Sequence, residues 1–563
     1  MKKNLVKKVL SVLFAVALLA TVYGCTKTAE ESTNLTTNTA SVGTTDISFT
    51  GTKVEDIIDE SDMFTDRELD SSYDSVTATI TLKDSGTAVD GENVTVDGDT
   101  VTITAEGVYV LSGSLTNGQI IVEAQDTEKV QLVLSGVDIN CETSAAIYVK
   151  QADKVFITSA KGTSNTLTNS ADFVQTDDNN VNAVVYSKDD LVLNGEGTLS
   201  VTAKYGHAVS SKDDLKVTGG TYNITSEEKN GLDANDSVRI TQASITITAA
   251  NDAIHADNDE DSAQGYVYIK DGTVVINAED DAIHASSAVK IADGTVTVES
   301  CTEGIEGNVI HLAGGTIDIT ASDDAVNASS GSSTTDAQQA LGTATASTTD
   351  DTLTAEATAM GEMPSGEAPS GEAPSGNMQG GMQGGAMMDT DESCYLQISG
   401  GTITVDSGGD GLDSNGYMYI TGGTTGVYGA ENSGNGALDS GISIEVTGGN
   451  IIALGMSGMA EGFSDSSTQG AILCNSVSGS EGDTVSVKDA SGKVLISVTA
   501  VRSFNSVAVS TPDMTSGNTY TITAGSSSAD IELSSTVYSD SAVGGMGGMR
   551  GGMQGAQRED FSR

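Results

Sequence analysis

One phrase recurs along this chain and limits what it can fold into. It reads Asn251-Asp252-Ala253-Ile254-His255-Ala256, then Asp280-Asp281-Ala282-Ile283-His284-Ala285, then Thr302-Glu303-Gly304-Ile305-Glu306-Gly307, then Asp323-Asp324-Ala325-Val326-Asn327-Ala328. The aliphatic anchors are Val209, Leu232, Ile254, Ile283, Ile305, Val326, Leu412 and Leu438, with steps of 23, 22, 29, 22, 21, 86 and 26 residues. The unit is about 22 residues, with a small insertion near Asp257 to Gln264 and a large one from Gly331 to Ser393. Val217, Ile240, Ile269, Ile291, Leu312, Ile398 and Ile420 share a second register, and Ile224, Ile247, Ile276, Val298, Ile319, Val405 and Val427 a third. Apolar residues alternate with Thr, Lys and Asp, and period two means strands with one face buried. Three short strands cannot bury a core alone, whereas stacked units make a continuous apolar column. Hairpins in a sandwich do not require seven units to share one register. The expected fold is all-β, a parallel β-helix or solenoid of about 22 residues per coil, with a small C-terminal β region.

The chain has 563 residues, and a solenoid accommodates that length by growing along one axis. It has no Trp, 4% aromatic residues and 65 Gly, which suits short strands and tight turns. Lys plus Arg is 26 against 79 Asp plus Glu, a net charge of −53. Such a surface repels nucleic acid and anionic membrane, attracts divalent cations, and meets an acidic polymer only through a cation. Solubility of an exported protein accounts for the bulk of that acidity but not for its stacking in register.

Residues 1–24 read as a signal peptide, with Lys2, Lys3, Lys7 and Lys8 before an apolar run from Val9 to Ala20. Val22-Tyr23-Gly24-Cys25 then reads as a lipobox with Cys25 lipidated; the alternative is simple secretion. Residues 25–74 are a linker and N-terminal cap, with an acidic stretch from Val54 to Tyr73 that suggests a short helix over the open end of the solenoid. The solenoid occupies 75–330 and resumes over 394–480. Between them, 331–393 is rich in Gly, Met, Pro and Ser and is expected to be disordered, as is the similar tail at 536–563. Met-rich segments can take soft metals, but no His or Cys adjoins them, which favours a linker. Residues 481–535 form a separate β domain or cap. Cys141, Cys301, Cys394 and Cys474 are isolated thiols, with no CxxC pair.

Two residues before the anchors stand Asp252, Asp281, Glu303, Asp324 and Asp410. One residue after them stand Asp233, His255, His284, Glu306, Asn327, Asp413 and Asp439. Coils stack about 4.8 Å apart, where two carboxylates repel by about 1 kcal/mol in water and about 3–4 kcal/mol at an effective dielectric near 20. The row must raise its pKa values, splay into solvent or bind cations. Oxygen ligands from adjacent coils suit Ca²⁺. The candidate metal ligands are Asp252, Asp280, Asp281, Glu303, Glu306, Asp323, Asp324, Asp410 and Asp413. The competing reading is that Asp, Asn and Gly simply make turns, which explains the Asp280-Asp281 and Asp323-Asp324 doublets and Glu303 less well. The calcium nonapeptide pattern GGxGxDxUx is absent. His255 and His284 read as a polar ladder, with a transition-metal pair or sugar contacts as alternatives.

At these residues the chain resembles the exported bacterial carbohydrate-binding domain-containing proteins, which have a right-handed parallel β-helix of polysaccharide-lyase-like shape. Matching phrases are Ala146-Ile147-Tyr148-Val149-Lys150, Ser187-Lys188-Asp189-Asp190-Leu191, Ser211-Lys212-Asp213-Asp214-Leu215, Asp280-Asp281-Ala282-Ile283-His284, Glu303-Gly304-Ile305-Glu306-Gly307 and Asp323-Asp324-Ala325-Val326-Asn327. They cover roughly Ser75 to Leu454. The resemblance implies Ca²⁺ held by the acidic coil corners and binding of cellulose-like or pectic polysaccharide. The large insertion before Asp410 departs from that compact pattern.

Three functions compete. The first is a binding module, a cell-surface lipoprotein or secreted protein that holds plant-type or acidic polysaccharide, with Tyr205, Tyr222, Tyr266, Tyr268, Tyr417 and Tyr419 as available sugar stackers. The second is a calcium-dependent polysaccharide lyase with Arg239 or Lys290 as base, although no dense basic cluster adjoins the acid column. The third is a structural adhesin without sugar specificity. The first is favoured, with no catalytic residue assigned.

Overall fold

The protein is described by a computed structural model over residues 35–37, 47–84, 86–330 and 390–540. The expected signal peptide at 1–24, Cys25, residues 331–389 of the insertion and residues 541–563 of the tail lie outside the described residues.

Alternating apolar residues form short strands, and those strands assemble into one large, mainly parallel sheet in an all-β chain. Tyr266–Ile269, Thr273–Ala278 and Ile283–Ile291 follow one another, and each pairs in parallel with a strand about one repeat earlier and one later. The anchors stack as neighbours: Val209 on Leu232, Leu232 on Ile254, Ile254 on Ile283, Ile283 on Ile305 and Ile305 on Val326. The stack continues across residues 331–389, with Leu312 paired to Ile398, Thr316 to Thr402 and Ala328 to Ser414. Inward residues of all three registers are buried and join one apolar cluster running from Ala78 to Ala508. This is a solenoid-like stack, and neighbouring turns bury one another's apolar edges.

Glycine marks the corner between the first and second strands of most turns, whereas in the turn at 237–249 Gln242 takes the left-handed conformation, with φ of 56°. Gly294, Gly315, Gly401 and Gly423 have φ of 100°, 79°, 79° and 73°. A Cβ on Gly315 would lie 2.5 Å from the Gly294 carbonyl oxygen. At Gly315 a side chain would have to meet both the left-handed φ and that close stacking, which favours glycine.

Antiparallel hairpins stop the stack at both ends. Val76–Lys83 pairs with Ala88–Gly91, and Val94–Asp97 with Thr100–Ile103, around the Asp-Gly turn evident in the sequence. At the far end Asn450–Gly455 and Ala471–Cys474 both pair antiparallel with Ser506–Ser510. A five-stranded antiparallel sheet follows, built from Thr484–Asp489, Val494–Thr499, Thr519–Ala524 and Ser527–Glu532 with Thr36–Thr37 at its edge. It has a separate core that includes Val485, Ile496 and Ile522. Cys141, Cys301, Cys394 and Cys474 are buried and free.

The N-terminal segment differs from the expected end cap. Residues 47–73 run along a side of the stack, and the helix shrinks to two single turns, Val54–Ile57 and Asp66–Leu69. Phe49, Val54, Ile58 and Met63 are buried against Tyr266, Tyr268, Tyr395 and Tyr419, which the outer face of the strands presents. The outward tyrosines give the apolar residues of this segment a ring surface to bury against.

Candidate functional site

The acid column lies where each turn enters its third strand. A small residue (Ala253, Ala282, Gly304, Ala325) packs between the acid and the inward anchor, so the acid is held at the corner beside the sheet. Main-chain bonds tie successive corners together: Ala253 N donates to Asp281 O, Ala282 N to Glu303 O, Gly304 N to Asp324 O and Ala325 N to Asp410 O. Asp410 thus sits directly on Asp324, although residues 331–389 come between them in sequence, and its amide donates to Asp324 Oδ1 at 2.5 Å.

The upper part of the column is neutralised from within. Asp233 is buried and accepts from Ser210 Oγ (2.7 Å), Asn230 Nδ2 (3.1 Å) and His255 Nδ1 (3.2 Å). Burial pushes the Asp233 carboxyl up, but His255 and His207 outweigh it and hold the group well below the usual range. The His255 and His284 rings stack at 5.2 Å and 17°. His284 Nδ1 faces both Asp281 Oδ2 (3.1 Å) and Glu306 Oε2 (2.9 Å). Burial disfavours the imidazolium, yet these two carboxylates raise the His284 pKa to about 11. Asp281, His284 and Glu306 place one ligand atom each within 4.8 Å of one another.

The lower part has no such relief. Among the described residues, no Lys, Arg or His forms an ion pair with Glu303, Asp324, Asp410, Asp413, Asp439 or Glu461. Burial, then the neighbouring carboxylates, pushes Glu303 up to about 8, Asp410 to about 7 and Asp413 well above its usual range. Asp324 rises to about 6 and Glu461 to about 7 for the same reasons. Asp439 is 8% exposed, and its Oδ1 accepts no hydrogen bond from the described residues. Half-buried, mutually repelling carboxylates with an unpartnered oxygen on Asp439 are donors of the type a hard divalent cation takes.

Of the residues singled out in the sequence, Asp252, Asp281, Glu303, Glu306, Asp324, Asp410 and Asp413 line this corner. Asp280 and Asp323, one residue before Asp281 and Asp324, are exposed. Two further carboxylates, Asp439 and Glu461, join the corner, neither of them among the candidate ligands. Asp439 follows the anchor Leu438 at the expected spacing, so its position was readable. Glu461 comes from the loop beyond the last repeat, reaches back to accept from Ser440 N (3.1 Å), and has no spacing signal.

The other candidates lie elsewhere. Arg239 and Lys290 project from the outer face under the N-terminal segment, buried and paired with Asp214 and with Glu55 and Glu60. Tyr222 is in the core, and Tyr266, Tyr268 and Tyr419 are covered, so these tyrosines are not open sugar platforms in this conformation.

Residues 97–352 match a family model described as carbohydrate-binding domain-containing protein. That match includes the column from Asp233 to Asp324. A carbohydrate-binding domain-containing protein of Acetivibrio thermocellus is 42% identical over 124 residues, which is 22% of this chain. The chain spans 43% of the length of that curated relative. A solved structure, the polysaccharide lyase-like protein from C. thermocellum in its gadolinium derivative, is 38% identical with a TM-score of 0.39 and covers 40% of this chain and 91% of that one.

Proposed function

We propose that this is an exported cell-surface protein, anchored through Cys25, that binds acidic plant-type polysaccharide on a right-handed parallel β-helix of about 22 residues per coil. Divalent cations held by the acid column bridge protein and sugar. The carbohydrate-binding family match supports the sugar class. The observation that carries the cation is the run of half-buried carboxylates from Glu303 to Glu461, with Asp439 buried among them, without cationic partners. Asp324, Asp410, Asp413, Asp439 and Glu461 would hold Ca²⁺, which is satisfied by carboxylate oxygens in flexible geometry. The cation would neutralise the column and offer open coordination positions to uronate carboxylates, which the acid column otherwise repels.

A second reading applies to the level above. His284 contributes nitrogen beside Asp281 and Glu306, and imidazole with carboxylates suits a zinc-class ion better than Ca²⁺. The lyase alternative loses support because Arg239 and Lys290 are buried and paired away from the column.

Co-sedimentation of the mature protein with polygalacturonate, with Ca²⁺ and with chelator, tests the proposal. Calcium-dependent pelleting is expected, with no ultraviolet-absorbing unsaturated sugar released. Release of such sugar would make the protein a lyase. Pelleting under neither condition would leave a structural surface role as the better account.

A further inference from the structure

The outer face opposite the core holds a second feature that the acid column does not explain. Lys216, Arg239, Tyr268, Lys290, His311 and Gln397 occupy one outward position on successive strands, each paired with the next. The chain has 26 Lys and Arg in 563 residues, so this row concentrates its scarce positive charge. All six are buried, because residues 47–73 lie across them.

That segment imitates an acidic chain. It carries Glu55, Asp56, Asp59, Glu60, Asp62, Asp66, Glu68 and Asp70 against Lys53 and Arg67. Its carboxylates meet the row's lysines and histidine: Glu60 lies 2.8 Å from Lys290, Glu55 2.9 Å from His311, and Glu68 2.9 Å from Lys216 and beside Lys154, while Arg239 pairs with Asp214 of the stack and donates to the Met63 carbonyl. Its rings meet Tyr268 of the row and Tyr395 beside it, with Phe64 6.2 Å from Tyr268 and Phe49 4.8 Å from Tyr395. Among the described residues, 47–73 contribute no strand to the large sheet, so the segment can leave without opening the ladder.

We propose that the Lys216–Gln397 row is a cation-independent binding groove for a polyuronate chain, and that residues 47–73 are its built-in competitor. Each rung, about 4.8 Å from the next, offers a cation, a ring or an amide. A polyuronate supplies a carboxylate and a sugar face per residue. The ligand class is shared with the function proposed above, but the site is different and needs no metal. Wild-type affinity is reduced by the small fraction of molecules with the groove open.

The test uses the full mature chain in chelator, which silences the acid column, so failure of calcium-dependent pelleting and failure of this groove are separate results. Calorimetry compares wild type, the E55Q/E60Q variant and E55Q/E60Q/K290Q with oligogalacturonate, and hydrogen exchange follows residues 47–73. E55Q/E60Q is expected to bind at least about tenfold tighter than wild type, by removing part of the opening cost. K290Q is expected to abolish that gain. Oligogalacturonate is expected to deprotect 47–73, and a neutral glucan oligomer of equal length is not. The proposal is overturned if E55Q/E60Q loses thermal stability without gaining affinity, or if oligogalacturonate leaves exchange in 47–73 unchanged.

Discussion

Asp413 and Asp439 illustrate how a residue can be costly to the fold and useful to the site. Asp439 is buried and Asp413 half-buried among like charges, with pKa values raised by desolvation first and, for Asp413, by neighbouring carboxylates second. The D413N/D439N variant keeps size and removes charge. It should weaken Ca²⁺ binding at least about tenfold, or 1.4 kcal/mol, by calorimetry. It should also raise the melting temperature of the metal-free protein by about 1 °C or more, because self-repulsion is relieved. A drop in metal-free stability would mean that these carboxylates are structural hydrogen-bond acceptors instead. Gly315 tests the corner in the same way. Replacing it with Ala imposes a left-handed φ of 79° and a contact with the Gly294 carbonyl, costing about 1–3 kcal/mol. Urea unfolding should show a lower midpoint with the slope unchanged.

The N-terminal segment is the element whose attachment depends most on charge. Burial pushes the Glu68 carboxyl up, but hydrogen bonds from Lys154, the Thr65 amide and Lys216 outweigh it and bring the pKa to about 2. Its hydrogen bond with His311 brings Glu55 to about 2 as well. A carboxyl lowered in the folded state stabilises that state fully above its unfolded value near 4.5 and loses the effect as pH falls through about 2. Protection factors in 47–73 should therefore decline between pH 4.5 and about 2, before those of the core strands do. Glu68→Gln should lower protection at neutral pH and flatten that decline. Equal acid sensitivity in variant and wild type would assign the effect to other groups. This element could be read only in part from sequence. Its acids and scattered apolar residues were evident, but its seat was not: Glu55 meets a histidine 256 residues away, and no local pattern encodes that distance.

At the scale of the whole molecule, the stack is indifferent to what is inserted between turns. Leu312 pairs with Ile398 and Ala328 with Ser414, and Asp391 returns beside Asn415, whose own amide bonds Ala328. Replacing residues 333–387 by a short Gly/Ser linker should leave both the melting temperature and Ca²⁺ binding unchanged, because loop-closure entropy varies slowly with length. Loss of Ca²⁺ binding would place a ligand in the replaced segment. The repeat determined the parallel stack, its register and the corner that carries the acids, because a turn of three short strands is stable only against a copy of itself. It also placed Asp410 two residues before an anchor, which the stacking on Asp324 explains. Tertiary structure alone decided which charges are neutralised. His284 fits between Asp281 and Glu306, Glu461 folds back from beyond the repeats, and Arg239 and Lys290 disappear beneath a segment far away in sequence. Periodicity reports what each turn shares with the next, whereas neutralisation depends on groups that meet only once, across long stretches of chain.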